Sequence, residues 1–221
     1  IYKSATNGNG SDHVSLELET QPDIEAESAG SSIEQFRNKY GRYLDIDDDG
    51  IPYRTIAGTH ETRGAFVTRG SSRDEYAVYT EDGEVYRRNV DRLMRKWNTA
   101  KELVPAPHFY QNANTSRDGV VFFGTSIFSA EEAIEMLDAE GIKLDAMRVR
   151  AFPFGKAFRD FVDSHDRIFV IEQNRDAQFR SLMMIELGVD PAKLVSLLNY
   201  DGMPITADNI FRQIRAECEG H

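Results

Sequence analysis

Residues Arg167 to Gln178 read Arg-Ile-Phe-Val-Ile-Glu-Gln-Asn-Arg-Asp-Ala-Gln, and this stretch decides the fold. Its apolar run, 168–171, is typical of a strand that is buried on both faces of a parallel sheet. Polar side chains follow directly, and then a helical pattern begins. Because open α/β sheets bind ligands or partners at the carboxyl ends of their strands, we expect Glu172, Asn174 and Gln178 to lie at a functional edge.

The same alternation of strand and helix continues on both sides of this stretch. Apolar runs predict strands at 120–123, 142–150, 167–171 and 194–198, each followed by a helical pattern. A capping box of Ser129 and Glu132 is predicted to open the first helix, and Thr206 to cap the last one. Such alternation predicts a mainly parallel sheet with helices on both faces.

The first half of the chain has a different pattern. Residues 1–32 are acidic and poorly patterned, which favours an arm or linker. Residues 33–116 are predicted to be a loop-rich linker region with one helix at 86–103, whose apolar stripe is Tyr86, Val90, Leu93, Trp97 and Ala100. The sequence begins with Ile rather than Met, which is typical of a fragment or a processed piece.

Composition restricts the function classes. The 221 residues carry a formal net charge of −11, from 37 acidic and 26 basic residues. Nucleic acids and anionic membranes are therefore poor partners, because their phosphate groups repel an acidic protein. No apolar run approaches the roughly 20 residues that span a bilayer, and the composition favours a cytoplasmic protein. Cys218 is the only cysteine, which excludes an intrachain disulfide and a metal site made of four cysteines of this chain.

An acidic turn is the one candidate metal site. Asp45, Asp47 and Asp49 precede Gly50 as in the first half of a calcium-binding loop. The twelfth position of that loop requires a bidentate Glu, and Ile56 stands there. The pattern therefore favours a solvated acidic turn, with a divalent cation as the alternative.

Two other groups of residues also allow a functional and a structural interpretation. One group is Arg69 and Arg73, which lie in a segment rich in Gly, Thr and Ser. Their guanidinium groups could recognise a carboxylate or phosphate of a ligand, or they could pair with acidic side chains of this protein. Glu172, Asn174 and Gln178 face a cofactor or partner subunit, or, in the structural interpretation, Asn174 or Asp176 caps the next helix and Glu172 accepts a neighbouring N–H. The turn at 124–126 could likewise present backbone N–H groups to an anion or simply connect a strand to a helix.

Several short motifs follow one another in a characteristic order. They are G-T-H-E-T-R-G at 58–64, T-R-G-S-S-R-D-E-Y at 68–76, G-T-S at 124–126, F-P-F at 152–154, V-I-E-Q-N at 170–174 and D-G-M-P-I-T at 201–206. In this order they resemble the alpha subunit of 2-oxoacid:ferredoxin oxidoreductases, in particular the 2-oxoglutarate type, over about residues 33–215. One departure is Ala177, because the family often has Gly before the corresponding Gln.

The resemblance implies a fold. Residues 119–217 would be a transketolase C-terminal-like domain, a three-layer α/β/α sandwich on a mainly parallel five-stranded sheet with one antiparallel strand. The residue pattern itself predicts only four strands after Gly119. The fifth strand is therefore expected from the linker region or from late in the chain.

The resemblance also implies cofactors and partners. Enzymes of this family decarboxylate a 2-oxoacid on thiamin diphosphate and Mg²⁺, pass electrons through an iron–sulfur cluster to ferredoxin, and transfer the acyl group to coenzyme A. Their diphosphate-binding domain and cluster cysteines lie on a separate beta subunit. This chain alone is therefore expected to bind none of these cofactors, and the beta subunit is its expected partner, with ferredoxin and coenzyme A contacted through the complex.

On this resemblance the chain would be the C-terminal, non-catalytic part of an alpha subunit that supports the active site and subunit assembly. The pyrimidine-binding thiamin domain that should precede residue 33 is missing from the sequence. Arg69 and Arg73 are candidates to meet an anionic substrate or the coenzyme. Two alternatives stay open: a free-standing flavodoxin-like module that binds a small molecule or nucleotide through 124–126 and 172–178, and a pure scaffold protein with a self-association face.

Overall fold

A computed structural model of the chain describes residues 2–3, 14–15, 40–58, 60–61, 72–110 and 116–220. The chain divides into two compact units, Ile1–Val104 and Pro105–His221. Arg69 and most of the predicted arm lie outside the described residues, so the structure gives no position for them.

Among its described residues, the N-terminal unit has one long helix. Two short strands, β1 (Tyr2–Lys3) and β2 (Val14–Ser15), pair in antiparallel fashion. Helix α1 spans Gly83–Leu103. It begins three residues before the predicted helix because the carboxylate of Asp82 accepts a hydrogen bond from Val85 N at 2.9 Å and caps the helix there.

The C-terminal unit is built on a five-stranded sheet. In chain order the strands are β3 (His108–Tyr110), β4 (Asp118–Phe123), β5 (Asp145–Val149), β6 (Arg167–Glu172) and β7 (Leu194–Leu198). They lie side by side in the order β3-β5-β4-β6-β7, and only β3 runs antiparallel to its neighbour. The predicted α/β class with a mainly parallel five-stranded sheet is confirmed.

Helices cover both faces of this sheet. They are α2 (Ile127–Ala139), α3 (Lys156–Ser164), α4 (Gln178–Leu187) and α5 (Ala207–Glu219), and short 3₁₀ turns span Gly124–Ser126 and Pro191–Lys193. Buried residues of α2 and α5 share one apolar cluster, whereas those of α3 and α4 share another. The unit is therefore a three-layer α/β/α sandwich.

The two central strands divide their side chains between these clusters. In β6, Phe169 and Ile171 pack with α2 and α5, while Ile168 and Val170 pack with α3 and α4. All four side chains are fully buried. The apolar run 168–171 is thus buried on both faces, as predicted, because successive residues of a strand point to opposite sides.

Three local predictions need correction. The capping box of Ser129 and Glu132 is wrong, because α2 begins at Ile127 and the Ser129 hydroxyl donates to the backbone oxygen of Ile205 at 2.8 Å. The predicted strand at 142–150 begins only at Asp145. The fifth strand, β3, comes from the region that was predicted to be linker.

In the part of the chain that the structure describes, none of the helices has both the length and the apolar character that crossing a bilayer requires.

Candidate functional site at the carboxyl edge of the sheet

The connections of β4 and β6 create a crevice at the carboxyl edge of the sheet. The chain leaves β4 through α2 on one face and leaves β6 through α4 on the other. Between two such strands a doubly wound sheet has its switch point, where ligands usually bind. A cleft of about 530 Å³ lies at this edge, lined by Thr125, Gln173, Asn199, Tyr200, Gly202, Met203 and Pro204. None of these lining side chains is charged.

The side chain of Gln173 bridges the elements that border this cleft. Its amide nitrogen donates to Thr125 Oγ1 at 2.9 Å and to Ser126 Oγ at 3.2 Å. Its amide oxygen accepts from Ile205 N at 3.3 Å. One side chain after β6 thus connects the turn after β4 with the segment before α5, and it holds the cleft in a defined shape.

Glu172, a predicted site residue, points into the protein instead of the cleft. It is fully buried, and its carboxylate accepts from Phe179 N at 2.7 Å and from Arg180 N at 2.9 Å. These are N–H groups of the first turn of α4, which have no partner within the helix. The amide of Asn174 donates a third hydrogen bond to the same carboxylate at 2.8 Å. Glu172 therefore anchors the start of α4, as the structural interpretation predicted.

Asn174 and Gln178 belong to the same turn. The side-chain oxygen of Asn174 accepts from Asp176 N at 3.0 Å and from Gln178 N at 3.3 Å. Ala177, where the resembling family often has Gly, has φ +49° and lies in the left-handed region. Glycine adopts that region without steric cost, which gives the family pattern a physical reason.

The loop after β7 forms the other wall of the cleft. The amide of Asn199 donates to the backbone oxygen of Met203 at 2.9 Å, and the carboxylate of Asp201 accepts from Met203 N at 2.9 Å. Gly202 has φ +86° and permits this tight turn. The loop leaves two apolar side chains open to solvent, since Tyr200 is 64% and Met203 68% exposed.

The acidic turn is held against α1 by basic side chains. Arg95 donates to Asp45 Oδ2 through Nε at 3.1 Å and through Nη2 at 3.0 Å. Gly50 N also donates to both oxygens of Asp45 at 3.0 Å. Ligand oxygens of Asp45, Asp47 and Asp49 lie within 4.8 Å of one another, as a metal site requires. Because Arg95 already supplies a positive charge to Asp45, this geometry favours the predicted acidic turn over a cation site.

Of the two predicted arginines, only Arg73 lies among the described residues. Its backbone forms an isolated antiparallel bridge with Tyr79, and its guanidinium lies 5.7 Å from the centre of the Tyr79 ring. Its Nε is buried and has no hydrogen-bond partner in the described part of the chain. The structure thus brings Arg73 to a defined position, and the proposed anion contact stays a prediction.

A buried pair of ionisable side chains lies at the opposite edge of the sheet. His165 precedes β6 and Asp145 opens β5, and His165 Nε2 lies 3.1 Å from Asp145 Oδ2. The other ring nitrogen lies 2.7 Å from the backbone oxygen of Phe161. Both ring nitrogens are therefore engaged inside the protein, and the pair forms no part of the cleft.

The cysteine content of the sequence and the lining of the cleft bear on two of the cofactors that the resemblance implies. An iron–sulfur cluster needs several thiolates, and the sequence has only Cys218. Burial raises the pKa of the Cys218 thiol, and the nearby Arg167 guanidinium opposes that shift only in part. The cleft offers no charged side chain to a diphosphate or to its Mg²⁺.

Sequence reasoning found only part of the cleft lining. Thr125 and Gln173 lie in the segments 124–126 and 172–178 that the flavodoxin-like alternative named, whereas Asn199, Tyr200 and Met203 were not predicted as site residues. The available signal was position, because these three residues lie in the loop after the predicted strand 194–198. The carboxyl ends of parallel strands meet at one edge, so the residues after each strand could have been grouped.

Comparison with known proteins supports the fold. The chain is similar to 2-oxoglutarate:ferredoxin oxidoreductase from Magnetococcus marinus, solved with 2-oxoglutarate, coenzyme A and succinyl-CoA bound, at a TM-score of 0.68 and 20% identity. The match covers 81% of this chain and 31% of that one, so this chain spans about a third of its length. No protein-family model matches the chain. No match was found among the curated proteins either.

A second solved structure is the alpha chain of a probable 2-oxoacid ferredoxin oxidoreductase from Thermoplasma acidophilum. It has 22% identity and a TM-score of 0.36, and the match covers 52% of this chain and 97% of that one. So low a TM-score carries no argument about the fold. The first structure is the informative one, and it confirms the predicted resemblance as a likeness of fold: this chain has the α/β architecture of part of a 2-oxoglutarate:ferredoxin oxidoreductase.

Proposed function

We propose that this chain is the C-terminal, non-catalytic part of the alpha subunit of a cytoplasmic, thiamin diphosphate-dependent 2-oxoacid:ferredoxin oxidoreductase. We take 2-oxoglutarate as its 2-oxoacid. The observation that carries the proposal is the likeness of fold over 81% of the chain. The order of the motifs between residues 58 and 206 supports it independently.

The carboxyl edge of the sheet supports a structural role in that enzyme. Glu172 uses its carboxylate to hold the start of α4, and Gln173 uses its amide to join the segments that border the cleft. A diphosphate is recognised by cations and by free N–H donors, whereas protein interfaces favour uncharged surfaces with Tyr and Met. The uncharged cleft with Tyr200 and Met203 at its rim therefore suits contact with polypeptide that contributes the active centre.

The partners follow from this role. The beta subunit would hold the diphosphate of the thiamin cofactor and the iron–sulfur cluster, and ferredoxin and coenzyme A would be contacted through the complex. Arg73, together with Arg69, is the candidate contact for an anionic substrate or coenzyme. Its support is the buried Nε of Arg73, which has no partner among the described residues.

Co-purification tests this proposal. The chain is tagged in its native cells, and the complex that it brings down is assayed for ferredoxin reduction with coenzyme A and several 2-oxoacids. We expect a beta subunit in the complex and the fastest reduction with 2-oxoglutarate. A complex without thiamin-dependent reduction of ferredoxin would contradict the proposal.

The role of Arg73 is tested in the same complex. Arg73→Ala should raise the KM for the 2-oxoacid or for coenzyme A, and Arg175→Ala serves as control because Arg175 is an exposed residue that pairs with Asp176. Unaltered KM values for both substrates in Arg73→Ala would remove Arg73 from the site.

A second candidate function is the flavodoxin-like binding module, and the cleft at the switch point favours it. That module would bind a small molecule or nucleotide without any partner subunit. It predicts a rise in the melting temperature of the isolated chain with a nucleotide or flavin, and loss of that rise in Tyr200→Ala. A melting temperature that no such ligand changes would leave the oxidoreductase proposal as the better one.

A further inference from the structure

The cleft at the carboxyl edge of the sheet lies entirely in the continuously described part of the chain. All seven residues that line it fall between 116 and 220, a range that the structure describes without a gap. Hydrogen bonds of Gln173 to Thr125, Ser126 and Ile205 hold its shape. The polar groups that these bonds leave unused therefore decide which ligand the cleft fits.

Asn199 brings an unused acceptor to the cleft. The residue is only 8% exposed, and it belongs to the cleft lining. Its amide nitrogen donates to the backbone oxygen of Met203 at 2.9 Å, and because a carbonyl oxygen only accepts, this bond fixes the orientation of the amide. The other amide atom, Oδ1, accepts no hydrogen bond from any described residue. Buried acceptors are normally paired, so Asn199 Oδ1 fits an N–H donor of a ligand.

Thr125 supplies the opposite polarity. Its Oγ1 accepts from Gln173 Nε2 at 2.9 Å, and within the described ranges its hydroxyl donates to no protein group. A hydroxyl that accepts one hydrogen bond still has its own hydrogen for another partner. The cleft thus presents one oriented acceptor, Asn199 Oδ1, and one free donor, the Thr125 hydroxyl.

The charge around these two groups restricts the ligand. None of the lining side chains is charged, and the closest charge to the Asn199 amide is acidic, because Asp201 Oδ1 lies 3.4 Å from Asn199 Nδ2. A carboxylate or phosphate would meet no cation in the cleft and would face the lone pairs of Asn199 Oδ1. The group that fits is therefore neutral and carries an N–H donor beside an acceptor.

Two side chains of the loop after β7 suit a flat ring. Tyr200 and Met203 line the cleft and are more than half exposed. Aromatic rings and thioethers pack well against planar heterocycles, and stacking of a nucleobase on an aromatic side chain strengthens binding about tenfold or more. A ring with an amino group beside a ring nitrogen combines this flat surface with the required donor and acceptor.

We propose that the cleft binds an amino-substituted purine or pyrimidine ring. The exocyclic amino group donates to Asn199 Oδ1, the neighbouring ring nitrogen accepts from the Thr125 hydroxyl, and the ring packs against Tyr200. This inference rests on the second candidate function, because it requires the cleft to accept a small molecule, and it names the part of that molecule that is recognised. It assigns no role to the phosphates of a nucleotide.

Matched nucleosides test the proposal. Adenosine and purine riboside differ only in the 6-amino group, and calorimetry with the full chain measures the dissociation constant of each. We expect adenosine to bind roughly tenfold more tightly, because purine riboside leaves Asn199 Oδ1 unpaired. Adenosine triphosphate should bind no more tightly than adenosine, since the cleft lining has no cation. Cytidine offers the same donor and acceptor on a smaller ring, and it should bind more tightly than uridine.

The ratio of the two purine affinities identifies the contact of Asn199. Asn199→Ala should reduce the preference for adenosine to within about twofold, whereas Tyr200→Ala should weaken both nucleosides about tenfold and keep the preference. The ratio is the readout because loss of the bond to Met203 can also loosen the loop. Asn98→Ala makes the same change at an exposed position of α1 and should keep both affinities within about twofold.

A second variant tests the donor. Thr125→Val replaces the hydroxyl by a methyl group of similar size and should weaken adenosine and purine riboside alike, by about fivefold, because both rings offer the same nitrogen. Unchanged binding in Thr125→Val would remove the hydroxyl from the site and contradict the proposed orientation of the ring.

Several results would overturn the proposal. Equal binding of adenosine and purine riboside would refute recognition of the amino group, and the flavodoxin-like module would still stand if a flavin or nucleotide raised the melting temperature. Tighter binding of adenosine triphosphate that is lost at high salt would assign recognition to the phosphates. Binding of no nucleoside, nucleotide or flavin would refute both the inference and the module, and contact of the cleft with polypeptide would be favoured.

Discussion

Different contacts stabilise each of the two units of this chain. In the C-terminal unit, two large apolar clusters on either side of the sheet bury most of the side chains of β4, β5 and β6. In the described part of the N-terminal unit, the buried apolar residues are Leu44, Ile51 and Tyr53, and α1 is fixed by Arg92, Arg95 and Thr99. Apolar burial thus stabilises the C-terminal unit, whereas polar side-chain contacts fix α1 among the described residues of the N-terminal unit.

The largest effect is expected from the core of the C-terminal unit. Phe169 is fully buried in the central strand β6, and Phe169→Ala should lower the free energy of unfolding by about 3–5 kcal/mol. Phe128→Ala removes the same side chain from a position that is 80% exposed, and it should change the stability by less than about 0.5 kcal/mol. Urea denaturation followed by circular dichroism measures both values. Equal losses would mean that burial does not hold this unit together.

The next effect is expected at the start of α4. Glu172→Ala leaves the N–H groups of Phe179 and Arg180 without their acceptor inside the protein, at a cost of about 3 kcal/mol. The exposed Glu135 on α2 is the control, and Glu135→Ala should change little. Hydrogen exchange should also accelerate at Phe179 and Arg180. If Glu172→Ala kept the full stability, Glu172 would not anchor α4, and the functional interpretation of its carboxylate would be favoured.

An effect of comparable size is expected where the acidic turn meets α1. Gly50 has φ +80°, and a Cβ there would lie 2.1 Å from Lys96 N. Gly58 has φ +87° with open space around it. Both Gly→Ala variants incur a conformational cost of about 1 kcal/mol, and Gly50→Ala adds about 1–3 kcal/mol from the clash. Trp97 fluorescence follows unfolding of this unit. Equal costs would show that the turn and the helix do not pack as described.

The smallest effect is a gain in stability. Ala177 has φ +49°, so Ala177→Gly should relieve backbone strain and stabilise the C-terminal unit by about 0.5–1 kcal/mol. Ala216→Gly, at an exposed position inside α5, should destabilise it by about 1 kcal/mol. Thermal denaturation distinguishes the two, and a loss in both variants would contradict the left-handed conformation of Ala177.

Much of the C-terminal sheet could be predicted from the sequence, because buried strands appear there as apolar runs. The runs at 120–123, 167–171 and 194–198 lie within β4, β6 and β7. Strand β3 could not be predicted in this way, since it has three residues and the side chains of His108 and Phe109 are exposed. The capping box failed because Ser129 finds its partner in Ile205, which is distant in sequence.

The candidate site was harder to predict than the fold. Sequence position brought Glu172 and Asn174 to the correct edge, but the direction of a carboxylate depends on which N–H groups the fold places beside it. Glu172 turns inward to α4, and its neighbour Gln173 turns toward the cleft. The two residues are adjacent and of similar size, so pattern alone does not separate the anchoring residue from the one that shapes the cleft.

The most direct test of the central claim is to measure turnover by the purified chain and by its complex under the same conditions. The account predicts that the complex reduces ferredoxin with 2-oxoglutarate and coenzyme A. It predicts that the chain alone neither binds thiamin diphosphate by calorimetry nor reduces ferredoxin. Turnover or thiamin diphosphate binding by the isolated chain would contradict the account.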